Sequence, residues 1–390
     1  MTLIEASWDA ALAISRNSFT SLPTQSLSLS DANGRVLAID AHSLCNLPAF
    51  ETSAMDGWVV SGSGPWKIIG EVKTGQISDI SLGVSQCLAI ATGGVIPDGG
   101  QAVVQWELAQ ERDGCIHGAS ELGANIRPAG AESKKGELLI CTGTLLNPPK
   151  IGLLAAAGYD EVIVTRRPRI ALFFLGDELM HSGVPVDGLV RDALGPQLPA
   201  MLTAFGAEVV VSDCVTDDLD LLVSKISVAI QSQDNAIDMV ITTGGTADGP
   251  RDFIKSAIAA FGGEYVIDRV KVRPGYHILL AKIAAQERKN VAFLALPGNP
   301  QSAIAALISF GRPVIDALCG ATPTVLSTVQ MSQEMKVQDG FARLVPSVIE
   351  NNMCIPTDYL SSHMLRGVAA ADGFVLVSAG SPTRWLPIPQ

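Results

Sequence analysis

The sequence predicts a multidomain chain of α/β plus β class, built on a central, mostly parallel α/β sheet domain. Three observations point there. From Arg169 to about Thr322, strand-length apolar runs alternate with amphipathic helical stretches, the pattern of a sheet covered on both faces. From Leu47 to Leu145, apolar runs alternate instead with turn signals such as Gly62-Ser63-Gly64-Pro65 and Pro97-Asp98-Gly99-Gly100, which mark a β-rich insert. After Thr322 short strands and turns return, as in a small C-terminal β domain.

Each element follows in order. Ser7 can cap a first helix whose apolar face is Trp8, Ala11, Leu12 and Ile14. Leu146-Asn147-Pro148-Pro149 ends the insert, and Ile151–Ala157 is a short helix. Strands are expected at Arg169–Leu175, Glu208–Val211, Asp238–Thr243, Glu264–Val272 and Val291–Leu296. Helices are expected at Pro199–Phe205, Asp217–Ser232, Asp252–Ala260 and Gln301–Leu318. Asp217-Asp218 places carboxylates at the positive end of a helix dipole. Arg343–Ile349 and Gly373–Val377 are the clearest strands of the last segment. The expected division is a discontinuous N-terminal domain, 1–46 and 146–168, the insert at 47–145, the α/β domain at 169–324 and the C-terminal β domain at 325–390.

Composition narrows the function. The 390 residues carry 27 Lys and Arg against 39 Asp and Glu, a net charge of −12. That balance excludes general nucleic-acid binding, which needs a basic surface to displace counterions. A hydrophobic content of 47% with 17% charged residues excludes a disordered chain. Runs such as Ile170–Leu175 fall far short of the ~20 residues of a spanning helix, so no membrane association is expected. Met1–Glu5 has no basic segment leading an apolar one, so a cytoplasmic protein is expected. The seven cysteines are scattered without a C-x-x-C pair, which fits reduced thiols. The five histidines are dispersed, which argues against a preassembled His metal site.

In open α/β sheets ligands bind beyond the carboxyl ends of the strands. Three strand ends carry unusual residues. Arg169–Leu175 runs into Gly176-Asp177-Glu178-Leu179. Asp238–Thr243 runs into Gly244-Gly245-Thr246 and, further on, Asp252. Val291–Leu296 runs into Pro297-Gly298-Asn299-Pro300. The glycine pair offers backbone N–H groups unshielded by a Cβ, a phosphate cradle. Glu178 and Asp252 beside it offer the few hard oxygens that Mg²⁺ requires. Alone, each has a plainer reading: a glycine turn, a helix start, an acid complementing a dipole.

Taken together and in order, these pieces resemble the molybdopterin molybdenumtransferases of the MoeA and gephyrin E-domain type. Ser53-Ala54-Met55-Asp56-Gly57 is similar to the family's S-A-M-D-G. Thr92-Gly93 with Pro97-Asp98-Gly99 resembles T-G-x-x-x-P-x-G, and Asn125-Ile126-Arg127 with Gly130 resembles N-I-R-x-x-G. Gly176-Asp177-Glu178-Leu179 matches G-D-E-L, and Leu296-Pro297-Gly298-Asn299-Pro300 with Ser302 matches L-P-G-N-P-x-S. The resemblance implies a MogA-like central domain and an elongated homodimer in which Asp56 and Thr92 act on the partner subunit's site. It implies Mg²⁺ on Glu178 and Asp252, and molybdate and adenylylated molybdopterin as substrates, with AMP released. Gly244, Gly245 and Thr246 would cradle phosphate. The substrate-binding set would also take in Asp217, Pro297, Gly298, Asn299, Pro300 and Ser302, with Arg273, Arg343 and Ser362 around molybdate. Contact with other molybdenum cofactor synthesis proteins is a further implication.

The chain departs from the family pattern in places. Where the family has K-P-G-K-P it has Arg273-Pro274-Gly275-Tyr276-His277, so a second cation is missing at Tyr276. Leu175 replaces a hydroxyl before G-D-E-L, Leu194 replaces the Asn of Y-D-T-N, and Glu132 stands where the N-I-R motif ends in Asp. Thr242-Thr243-Gly244-Gly245-Thr246 is also similar to the related molybdopterin adenylyltransferases. Two alternatives therefore stand beside molybdenum insertion: adenylyl transfer, and a non-catalytic molybdopterin-binding paralogue.

Overall fold

A computed structural model describes residues 2–231, 236–247, 249, 252–285 and 288–389. The expected Asp248, Pro250 and Arg251 of the glycine loop and Ser232 at a helix end lie outside the described residues.

The central sheet has seven strands in the order Leu3–Ala6, Glu264–Val270, Leu279–Ala285, Arg288–Leu296, Met239–Thr243, Arg169–Leu175 and Glu208–Val215. Its pairings are parallel except where Leu279–Ala285 runs against both of its neighbours. The mostly parallel sheet thus stands, with one antiparallel strand that the sequence reading missed. Ala281-Lys282-Ile283-Ala284-Ala285 is small and apolar, so periodicity alone does not separate it from a helix.

Both faces of the sheet are buried. One packs Ile170, Leu172, Ile241, Leu280 and Leu294 against the helices Leu194–Ala204 and Pro300–Ala306. The other packs Ala171, Phe173, Val240 and Phe293 against Leu219–Gln231 and Ile254–Ala260. The first strand and the helix Trp8–Asn17 belong to this body: Leu3 pairs with Ile267, and Trp8 and Ala11 sit in its core. The discontinuous division had placed them with residues 146–168. Ser7 caps that helix as expected, its Oγ accepting from the Ala10 N–H at 3.3 Å.

Several boundaries differ for identifiable reasons. The helix expected to begin at Pro199 begins at Leu194, because Asp192 Oδ1 accepts from the N–H groups of Leu194 and Gly195 at 3.0 and 2.9 Å. The helix expected from Asp217 starts at Leu219, with Asp218 Oδ1 accepting from the Leu221 N–H at 2.9 Å. Gln301–Leu318 is helical but contains a π turn at Leu307–Gly311. Pro313, which has no N–H to give, stands two residues beyond the end of that turn.

The strand expected over Glu264–Val272 divides at Lys271, whose N–H donates to the Ala6 carbonyl. Val272–Arg273 then leaves the central sheet and joins the C-terminal sheet beside Ala342–Glu350. That sheet also holds Gly373–Ser378, Arg384–Pro387 and Met353–Pro356. The insert is a six-stranded sheet with cores around Trp58 and Trp66 on one side and Val59 and Leu88 on the other. A separate core of Leu37, Leu146, Leu154 and Val164 holds the N-terminal unit together. No helix among the described residues is long and apolar enough to cross a membrane.

Candidate active site

Strand register places the three unusual loops side by side. Phe174 pairs with Thr243, and Thr243 with Leu296, so the chain leaves three adjacent parallel strands at one level. Glycine permits their close approach. A Cβ on Gly244, which has φ +88°, would lie 3.1 Å from the Leu175 carbonyl oxygen, and one on Gly298 would lie 3.5 Å from Gly244 Cα. The Gly244 N–H donates to the Leu296 carbonyl. Thr242 is wholly buried with its hydroxyl unpartnered, and Thr246 is buried beyond the glycines.

Both acids expected to hold metal sit on these loops. Glu178 is exposed just past Gly176. Asp252 does not cap the helix that follows, which begins at Ile254. Its Oδ2 instead accepts from the Gly249 N–H at 2.6 Å and shapes the glycine loop. Asp177 reaches the next strand end, where its Oδ1 accepts from the Asp217 N–H at 3.0 Å.

A cavity of about 600 Å³ opens at the third loop, with Asn299 in its wall, while Glu178, Asp217, Gly244, Gly245, Thr246 and Asp252 do not line it. Arg273, Arg343 and Ser362, which the resemblance implies around molybdate, line it, as do Ser302 and Asn299 of the implied substrate-binding set. Pro297, Gly298 and Pro300 do not. Asn299 forgoes capping its own helix, and its Nδ2 donates to Ser362 Oγ at 3.3 Å. The Gln301 N–H donates to the Ser362 carbonyl, so the helix start is tied to the C-terminal domain. The Arg273 guanidinium stacks 5.3 Å over the Phe341 ring. Arg343 Nη1 donates to the Lys336 carbonyl at 3.0 Å.

Lys336, Gln338 and Phe341 also line the cavity, and sequence reasoning missed them. They lie in a segment without periodic apolar residues, which offers no signal beyond a lone lysine. Lys336 bears on the departure at Tyr276, because a third cation faces the same space. Tyr276 lines the cavity too, and its hydroxyl donates to Glu5 Oε1 on the edge strand of the central sheet.

Asp56 and Thr92 stand elsewhere, on the insert. Asp56 Oδ1 accepts from the Thr92 N–H at 2.6 Å, and hydrogen bonds from Thr92 hold its carboxyl below the usual carboxylate range. A Cβ at Gly57 would lie 2.1 Å from the Val104 carbonyl oxygen, so this turn requires glycine. Asp56 shares a cavity of about 710 Å³ with Glu71, Lys73 and Trp106. None of the residues around Arg273 lines it.

Comparison with known proteins shows the family. Residues 6–158 match the family model described as the MoeA N-terminal region (domain I and II), and residues 171–317 match a probable molybdopterin binding domain. A molybdopterin molybdenumtransferase from Nostoc sp. is 31% identical over 310 residues, covering 76% of this chain and 70% of that one. The chain belongs to the molybdopterin molybdenumtransferase family. A Staphylococcus aureus member is 28% identical over 385 residues, covering 94% of this chain and 90% of that one. The fold is also shared with a molybdopterin biosynthesis moeA protein from Pyrococcus horikoshii, with a TM-score of 0.80 at 20% identity, covering 98% of this chain and 97% of that one.

Proposed function

We propose that this chain inserts molybdate into adenylylated molybdopterin and releases AMP in a Mg²⁺-dependent reaction. The observation that carries the reading is the convergence of Arg273, Arg343 and Lys336 with Ser302, Asn299 and Ser362 on one cavity. Guanidinium and ammonium donors with hydroxyls and an amide suit a tetrahedral dianion, which needs charge and several N–H or O–H donors once water is excluded. The Gly244-Gly245 backbone and Thr246 suit the phosphates of the adenylyl group.

Mg²⁺ fits the oxygens present. Glu178 is exposed, and Asp252 is oriented by its own turn. An ion held there would neutralise charge on the phosphates. The chain's own residues do the rest: the arginines orient the oxyanion, and the glycine loop fixes the phosphates.

Asp56 and Thr92 act on the partner's site in a homodimer. Support comes from their separate cavity and from the exposed Met55, Trp106 and Leu108 around the Asp56 turn, apolar surface of the kind a partner covers. The protein works among the other cytoplasmic enzymes of molybdenum cofactor synthesis.

The test is AMP release from adenylylated molybdopterin with Mg²⁺, with and without molybdate. Molybdate-dependent AMP supports the reading. Adenylylation of molybdopterin from ATP would replace it with adenylyl transfer, which the Thr242-Thr243-Gly244-Gly245-Thr246 loop also suits. Substrate binding with neither reaction would leave a carrier.

A further inference from the structure

At the outer parallel strand of the sheet, three side chains meet that the proposed reaction does not use. Cys214 Sγ lies 3.5 Å from His181 Nδ1, and the same nitrogen lies 3.9 Å from Asp192 Oδ2. The ligand atoms of all three lie within 4.8 Å of one another. Among the described residues, this is the group of three His, Cys, Asp or Glu side chains spaced to share an ion.

Local structure explains the meeting. Leu179-Met180 and Val190-Arg191 form a short parallel ladder, and His181 and Asp192 are the next residues on each side. Cys214 is the penultimate residue of the strand Glu208–Val215. The sequence reading counted the histidines and cysteines as dispersed, because 11 and 22 residues separate consecutive members of the trio.

We infer that His181, Asp192 and Cys214 form a site for a borderline-soft divalent ion, Zn²⁺ being the type. Zn–S bonds near 2.3 Å and Zn–N bonds near 2.0–2.1 Å at tetrahedral angles put sulfur and nitrogen about 3.5 Å apart, and nitrogen and oxygen about 3.4 Å apart. The first spacing is already met, and the second is long by about half an ångström.

The chemistry is also suitable. One thiolate and one carboxylate balance a divalent charge, and neutral imidazole completes three protein ligands. Asp192 is buried, and two backbone N–H groups fix its other oxygen, the kind of outer support that orients a metal ligand. His181 is 56% exposed and faces a cavity of about 530 Å³, leaving the fourth position for water. Arg191 lines that cavity, with Nη1 3.5 Å from the Met180 carbonyl. Asp213 is engaged by Lys225. An ion here would fasten segment 176–192, which carries Glu178, to the sheet.

Co²⁺ titration of EDTA-stripped protein tests the site. One equivalent should bind with a thiolate-to-cobalt charge-transfer band, and Zn²⁺ should bleach it. Cys214→Ser should abolish the band, and His181→Ala should weaken binding tenfold or more. Cys141→Ser, which removes an exposed thiol elsewhere, should change nothing. Zn²⁺ should also protect Cys214 of the wild-type chain from alkylation, read by peptide mass, which does not depend on any variant folding. A charge-transfer band that survives Cys214→Ser overturns the proposal. So does a wild-type chain that takes up no Co²⁺ and is alkylated equally with and without Zn²⁺, leaving a hydrogen-bonded His181–Cys214 pair beside Asp192.

Discussion

Arg273 and Arg343 are direct partners on a two-residue parallel ladder, and both line one cavity with Ser302 and Ser362. Like charges directly opposite on a sheet are destabilising unless something lies between them. Folding therefore sets a repulsion here that an oxyanion, bound as proposed, would relieve. Arg343→Gln should leave the melting temperature of the unliganded protein unchanged or slightly higher. Molybdate binding should fall about tenfold, equivalent to ~1.4 kcal/mol. Calorimetric titration with paired melting curves checks both. An equal loss of stability and affinity would make Arg343 a structural residue.

Tyr276 refines that picture. Its hydroxyl is committed to Glu5, and Lys336 brings another cation to the cavity. Tyr276→Lys alone places an ammonium beside the Glu5 carboxylate, where the two pair. Molybdate affinity should then change by less than about twofold, while Lys336→Ala should weaken it several-fold, with salt reducing the difference. Adding Glu5→Gln to Tyr276→Lys should free the new charge and tighten binding. The same titration at two ionic strengths decides. Strong tightening by Tyr276→Lys alone would count against the pairing.

The central sheet was legible because buried parallel strands are nearly continuous apolar runs: Arg169–Leu175 was read without error. Its carboxyl-end loops were legible because glycine and proline clusters follow such runs. The strand Leu279–Ala285 was not, since small apolar residues suit helix and strand alike. The position of Arg273 was half legible. The family pattern marked it as the cation opening the Arg273-Pro274-Gly275 stretch, but only the break at Lys271 carries it from one sheet to another and onto Arg343. Lys336 and the His181–Asp192–Cys214 meeting depend on long-range packing that no local pattern announces.

Mg²⁺ dependence should separate charge from shape at Asp252. Asp252→Asn keeps an oxygen for the Gly249 N–H but removes a negative ligand. Nucleotide binding should weaken about tenfold with Mg²⁺ present and stay unchanged in EDTA. Asp252→Ala should lose affinity in both conditions, because the turn is lost as well. Equal losses for Asp252→Asn with and without Mg²⁺ would remove the metal role.

Two buried thiols predict alkaline weakening. Burial, the largest cause in each, pushes Cys87 up to about 11 and Cys319 up to about 12 from 9.0. A pKa raised on folding contributes stability that is complete below the unfolded value and is lost as pH rises through the folded one. The window is therefore pH 9 to about 11 for Cys87 and pH 9 to about 12 for Cys319, with a slope of at most ~1.4 kcal/mol per pH unit for each group inside its own window. Denaturant melts between pH 8.5 and 10.5 should show this fall, and Cys319→Ala should make it shallower. An unchanged slope in Cys319→Ala would mean that this thiol does not couple to folding.

The proposed sharing of sites between two subunits has a direct test. Asp56 and Arg273 line different cavities of the same chain, and Asp56 is tied down by Thr92 on the insert. If two subunits complete each site, Asp56→Asn and Arg273→Gln homodimers each carry one defect per site and should both be inactive. Mixed dimers differ. One of their two sites combines the intact Asp56 of one subunit with the intact Arg273 of the other, and the second site carries both defects. Random exchange of equal amounts makes half the dimers mixed, so activity should recover to roughly a quarter of wild type. Co-expression with two tags, followed by sequential affinity capture, isolates the mixed species, which should show about half of wild-type turnover. No recovery in verified mixed dimers would place Asp56 in the same subunit's reaction, and a monomeric mass in light scattering would remove the shared site altogether.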